Sequence, residues 1–274
     1  MKIFSALLPV LAVIGFSTIA RAAPAPDHRL FTEILATHVR DGLVDYAALK
    51  TDERLPRYLA QLAATDPAQL PDDAARLAFW LNAYNAYTLQ LIVEKQPAKS
   101  ITEIGRGGLV LGTVFKTTAW DIPLATIGGK KFTLNQIEHE TIRVQFKDAR
   151  AHFALNCASG SCPVLRPEAF EADRLNAQLD DQAQLFLRDS SRNQFDLSAK
   201  TARLSQIFSW YGKDFGTGKH GALLAAAKYA PDAVRRSIEQ DPAAWRVEFL
   251  AYDWSLNNTP KPTGAAAPVE SKSP

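Results

Sequence analysis

Helical spacing of apolar positions dominates the first third of the chain. Leu30, Ile34 and Leu35 share a face over residues 27–40, the pattern returns over 54–64, and Asp72 or Asp73 can cap a third helix over about 74–95 that stops before Pro97. In that third helix Leu77, Trp80, Leu81, Tyr84 and Leu91 cover one side, yet Ala78, Phe79, Ala83, Ala86 and Leu89 make the other side apolar too. A helix apolar all round is expected at the centre of a fold. Residues 100–132 change character: a Gly-rich turn at 105–108 and a hairpin signal at Ile127-Gly128-Gly129-Lys130 predict β-structure. Thr133-Leu134-Asn135-Gln136 has capping-box spacing and predicts a helix to about Phe146. The run HFALN at 152–156 reads as a short buried strand whose alternation sends His152, Ala154 and Asn156 one way and Phe153 and Leu155 the other. A helix over 167–188 follows, then a hairpin near 195–204 and a helix capped by Ser205 with Ile207, Phe208, Tyr211 and Phe215 on one face. Helices near 220–240 and a strand within 245–252 complete the pattern. Together these elements predict an α+β fold: a single domain with a buried central helix packed on a small, mostly antiparallel sheet and further helices around it.

Residues outside that pattern narrow the picture. Lys2, an apolar run from Ile3 to Ile19 and the triplet Ala20-Arg21-Ala22 match a secretory signal over 1–22, with an uncleaved membrane anchor as the alternative. Residues 259–274 are Pro, Ala, Thr, Ser and scattered charge, a composition expected to stay disordered. The globular domain is therefore expected over 23–258, periplasmic or secreted, with no stable membrane span once the signal is removed. A formal net charge of +2 and the absence of any basic block argue against nucleic acid as a partner.

Several blocks of sequence belong together: GLVDY at 42–46, FWLNAYNA at 79–86, IEH at 137–139, HFALNCAS at 152–159, SCP at 161–163, LSQIFSWY at 204–211 and YDWSLN at 252–257. With these blocks in order, residues 42–257 resemble the "domain of unknown function 547" family. The resemblance implies one domain, found in bacterial secreted proteins and within larger eukaryotic chains, and implies no particular reaction. Papain-like peptidases and transglutaminases also set a buried helix ahead of a histidine-bearing strand, but their nucleophilic cysteine starts the helix, where this chain carries Asn82 and no cysteine.

Candidate chemistry centres on Cys157, in the loop after the 152–156 segment. His139 is the first choice of base and His152 the second, and Asn82, Asn85 or Asn156 could supply an orienting or oxyanion-binding amide. Glu138 falls among Leu134, Ile137, Thr141 and Ile142, where an apolar residue is expected, and can act as a buried hub satisfied by Asn82, Asn85, His152, Arg143 or Arg166. Three states stand open for the two cysteines: a Cys157–Cys162 disulfide, a reactive thiol, or buried free thiols. Glu138, His139, His152, Cys157 and Cys162 offer metal donors, but at a spacing that matches no recognised zinc motif, so neither metal nor cofactor is expected. Trp210, Tyr211, Phe215, Tyr252 and Trp254 can line a ligand groove or fill the core. Two functions follow as expectations. One is a thiol-dependent hydrolase or acyl-transfer enzyme acting on a peptide or small acyl substrate. The other is a non-catalytic periplasmic protein that binds a partner and keeps the disulfide for structure.

Overall fold

The computed structural model describes residues 26–110, 113–217 and 220–260; the expected signal segment and residues 261–274 of the expected tail lie outside them. Asp27 caps α1 (His28–His38) by accepting from the Arg29 N–H. Asp41 and Gly42 then take φ of 51° and 78°, the positive pair that a two-residue hairpin turn demands, and join β1 (Val39–Arg40) to β2 (Leu43–Val44). A Cβ on Gly42 would meet the Val164 side chain at 2.7 Å, so the turn needs glycine for space as well as for φ. α2 (Tyr46–Leu49) and α3 (Arg54–Ala64) lead to α4 (Asp73–Lys95), which Asp72 caps through the Ala75 N–H. The expected boundaries of α4 hold almost to the residue, and from Leu77 to Ile92 every residue except Gln90 is buried.

α4 forms the axis of the larger core, against which α1, α2 and α3 pack. Two antiparallel hairpins follow, β3 (Gly105–Val110) with β4 (Thr113–Thr118) and β5 (Ala125–Ile127) with β6 (Lys130–Phe132). The predicted capping box forms, Thr133 Oγ1 accepting from Gln136 N–H at 3.0 Å while Gln136 Oε1 accepts from Thr133 N–H at 3.0 Å. The helix it opens widens into a π-helical stretch, Gln136–Ile142, before closing as α5 (Arg143–Gln145). A second core gathers Phe153, Phe186, Phe208 and Phe215 among α7 (Leu175–Arg188), α8 (Gln206–Trp210), α9 (Gly221–Ala227) and α10 (Asp232–Gln240). Its edge is a sheet in which β8 (Thr201–Leu204) pairs antiparallel with β7 (Gln194–Asp196) and parallel with β9 (Arg246–Phe249). The fold is thus α+β, one domain with a buried central helix, its pairing mostly antiparallel and divided among small sheets.

Three local expectations are corrected. Residues 151–154 form a helical turn, α6 (Ala151–Ala154), because Leu155 N–H closes onto Ala151 O and no strand among the described residues pairs with it. α7 begins at Leu175, the preceding residues forming turns instead. His28 and His38 fall in no cluster of functional residue types in the sequence and are expected on that ground to face solvent, yet they are drawn inward: His28 Nδ1 lies 2.7 Å from the Tyr58 hydroxyl, and His38, 7% exposed, puts Nε2 2.7 Å from Asp52. No helix among the described residues is long and apolar enough to cross a membrane.

Candidate functional site

The asparagines of α4 act on backbone. Asn85 donates to Ala154 O at 3.0 Å and accepts from Asn156 N–H at 2.9 Å, pairing with the chain as a neighbouring strand would. Asn82 does the same to a single residue, donating to Phe170 O at 2.8 Å and accepting from Phe170 N–H at 2.9 Å. Asn156 spans the next loop, donating to Pro163 O at 2.8 Å and accepting from Ala158 N–H at 2.9 Å. Its Oδ1 also takes a contact from Asn257 at 3.3 Å, and Asn257 in turn accepts from the Tyr46 hydroxyl at 2.7 Å. None of Asn82, Asn85 and Asn156 reaches the pocket described below.

The loop that Asn156 spans is closed by a disulfide between Cys157 and Cys162, with Cα atoms 6.1 Å apart. Arg192 holds its outer side, donating to Cys162 O at 2.9 Å and Gly160 O at 2.8 Å. Gly160 lies against residues 253–255, where a Cβ would meet the Asp253 carboxylate at 2.6 Å. The Tyr252 hydroxyl points at Cys157 Sγ from 3.3 Å, and Ser159 Oγ donates to it at 3.2 Å. Burial pushes the Tyr252 phenol up to about 12, so it stays a hydrogen-bond donor at neutral pH.

The disulfide forms one wall of a pocket of about 240 Å³. Glu138, His139, His152 and Cys157 all line it, so four of the seven candidate residues share one cavity. Its buried end holds Tyr84 and Glu138, 1% and 6% exposed, and its open end holds Trp210, 47% exposed. Trp120, Trp254, Trp210 and Tyr252 form a continuous aromatic wall with successive ring centroids 4.8–6.1 Å apart. Phe215, expected in the same aromatic group, packs in the second core instead.

Glu138 is not the hub expected from the sequence. Asn82 and Asn85 are occupied by backbone, and Arg166 is paired with Glu168 and Asp181. The hub is Asp214, which accepts from Arg143 Nε at 2.6 Å, from Arg143 Nη2 at 3.0 Å and from His152 Nε2 at 2.7 Å. The Arg143 guanidinium, followed by His152, holds the Asp214 carboxyl below the usual carboxylate range. Burial lowers the His152 pKa, and the hydrogen bond to Asp214 opposes the shift. The ring stacks on Tyr211 at 4.1 Å. Arg143 also contacts His139 Nδ1 at 3.0 Å; since a guanidinium only donates, Nδ1 accepts and the ring proton sits on Nε2. Glu138 lines the pocket with Tyr84 and Tyr211, and both phenols are raised, mainly by burial and then by the charge of this carboxylate. Its nearest cationic partner among the described residues would be His139 Nδ1, at 3.9 Å.

Sequence reasoning missed Asp214, Tyr84 and Trp120. Asp214 had one signal: a carboxylate between Tyr211 and Phe215, both assigned to a buried face. Among the described residues no three His, Cys, Asp or Glu side chains gather as a metal site would need.

Residues 67–187 match the family model described as "Protein of unknown function, DUF547". The matched DUF547 stretch holds α4, the π-helical stretch, α6 and the disulfide loop, and so contains Glu138, both pocket histidines and both cysteines. The blocks at 42–46, 204–211 and 252–257, counted in the wider resemblance, lie outside the match. Two of them are nevertheless tied to each other and to the DUF547 stretch: Val44 N–H donates to Asn257 O at 2.8 Å, and Asn257 N–H to Ala158 O at 3.3 Å. No curated protein and no solved structure matches the chain.

Proposed function

We propose that this protein is an exported, non-catalytic binding protein whose pocket, between the disulfide loop and the aromatic wall, receives a small group carried by a partner. One observation carries the reading: Cys157, the only pocket residue suited to nucleophilic attack through sulfur apart from its own partner Cys162, is bonded to Cys162 and has no thiolate to offer. The apolar run ahead of residue 23 and the disulfide both suit an oxidising compartment outside the cytoplasm. The test is alkylation of protein purified from the periplasm, natively and after denaturation, read by intact mass. No labelling before reduction and two labels after it are expected; two labels on the native protein would overturn the reading, as would recovery only from the cytoplasm.

A second reading, a thiol-dependent hydrolase or acyl-transfer enzyme, is favoured by the His152–Asp214 hydrogen bond of 2.7 Å, because His152 and Cys157 line the same pocket. It requires a dithiol reductant to open the disulfide first. The tautomer of His139 favours His152 as its base. Reduced protein would then turn over an ester in a substrate screen, and Cys157→Ser and His152→Ala would abolish that turnover; retained turnover in both variants would exclude this second reading.

A further inference from the structure

Glu138 is 6% exposed, lines a cavity, and among the described residues has no Lys or Arg nitrogen within ion-pair distance. The arginines nearest the pocket are already paired, Arg143 with Asp214 and Arg192 with Asp189. His139 presents to Glu138 a nitrogen that accepts from Arg143 and carries no proton. Beside the carboxylate in the same pocket stand Tyr84 and Tyr211, whose phenols are raised by burial and then by its charge. From there to the open end the wall is aromatic, through Trp120, Trp254, Trp210 and Tyr252. Aromatic faces attract cations, and a buried carboxylate with two phenols lining the same pocket offers oxygen acceptors to a cation's N–H groups.

We infer that the pocket takes a primary alkylammonium group, its nitrogen on Glu138 and its alkyl stem along Trp120, Trp254, Trp210 and Tyr252. Its three N–H donors can be shared between the Glu138 carboxylate and the phenol oxygens that line the pocket with it. A quaternary ammonium would leave those acceptors empty, and a planar guanidinium suits the two oxygens of one carboxylate better than acceptors spread over several side chains. The inference rests on the binding reading above and supplies the chemistry of the group bound. That group has two sources, a free diamine or the lysine side chain of a peptide.

The oxidised protein is titrated with cadaverine, Nα-acetyl-lysine methylamide, 1-pentanol and pentanoate, read by tryptophan fluorescence and calorimetry. Both amines are expected to saturate the signal, with 1-pentanol and pentanoate at least about tenfold weaker, since a charge-assisted hydrogen bond is lost. Tighter binding of cadaverine identifies the free diamine, and tighter binding of the lysine amide identifies a peptide. Glu138→Gln is expected to weaken the amines by about 10- to 100-fold. Should that variant fail to fold, Trp210→Ala, at an exposed position, is expected to weaken them while melting like the parent. Pentanol or pentanoate binding as tightly as the amines would overturn the alkylammonium assignment and leave the binding reading in place. No response to either amine would overturn it too, and the alkylation result judges the binding reading independently.

Discussion

Replacing Asn85 separates a structural amide from a functional one. Its side chain satisfies Ala154 O and Asn156 N–H, 69 and 71 residues away and both buried, with no water-facing alternative. Asn85→Ala strands both groups, and an orphaned buried backbone group costs about 1–3 kcal/mol, so the loss is about 2–6 kcal/mol. Against an ordinary stability of about 5–15 kcal/mol that is a large fraction. Asn85→Asp keeps an acceptor for Asn156 N–H, loses the donor for Ala154 O and sets a carboxylate against a carbonyl, so it is expected to be no better than alanine. The assay is urea unfolding of the oxidised protein at neutral pH, followed by far-UV circular dichroism and tryptophan fluorescence. With m near 3 kcal/mol/M for a chain of this size, the midpoint is expected to fall by about 0.7–2 M. A fall below about 0.3 M, combined with loss of ligand response in the pocket, would refute the argument and return Asn85 to the site.

Three further outcomes are expected. Reducing the Cys157–Cys162 bond, or replacing both residues by serine, removes a short loop closure worth about 2 kcal/mol, and an unchanged melting temperature would show that Arg192 and Asn156 hold the loop unaided. Asp214→Asn removes the carboxylate that opposes the lowering of the His152 pKa, so His152 is expected to titrate lower still in imidazole NMR, with about 1–3 kcal/mol of stability lost; an unmoved titration would refute the pairing. Burial lowers the His28 pKa to about 4 from its ordinary 6.5, so the unfolded chain binds this proton first; stability present above pH 6.5 is lost as pH falls to 4, by about 1–3 kcal/mol. His28→Gln is expected to flatten the melting temperature across that window, and an equal slope in the variant and its parent would exclude His28 as the cause.

What could be read from the sequence was whatever rests on local caps and periodicity. Asp72 and Pro97 bound α4 almost to the residue, and Thr133 with Gln136 forms the box its spacing predicts. The π-helical stretch was not legible, because its register reaches one residue further than an α-helix. Arg143 N–H bonds to Glu138 O and Thr141 Oγ1 to Gln136 O, each five residues back, so a wheel at α-helical spacing misplaces the side chains between them. Residues 152–156 failed for a different reason: a five-residue apolar run does not distinguish a strand from a helical turn, and Asn85 supplies the backbone partner that a strand would have needed. For the site, the sequence gathered Glu138, His139, His152 and Cys157 into one candidate group, and they do line one cavity. It could not rank their partners, because Asp214 lies 62 residues from His152 and 71 from Arg143 along the chain.

The polar interior is divided between two tasks. Asn82, Asn85, Asn156 and Asn257 spend their hydrogen bonds largely on backbone, fixing where α4, the disulfide loop and the segment at 252–257 lie relative to one another. Around the pocket the polar groups instead fix one another. Arg143 donates to His139 and forks onto Asp214, and Asp214 accepts from His152 Nε2–H, so one arginine–aspartate pair sets the tautomers of both histidines before anything enters. Groups held this way lose little freedom on binding, which favours affinity for whatever occupant fits. Glu138 belongs to neither arrangement: it lines the pocket beside Tyr84 and Tyr211, on a helical turn distorted from α-geometry. A carboxylate buried without a cation destabilises a fold unless something in its working state answers it. The alkylammonium probe therefore tests the one carboxylate that is buried among the described residues, to which His139 turns an unprotonated nitrogen.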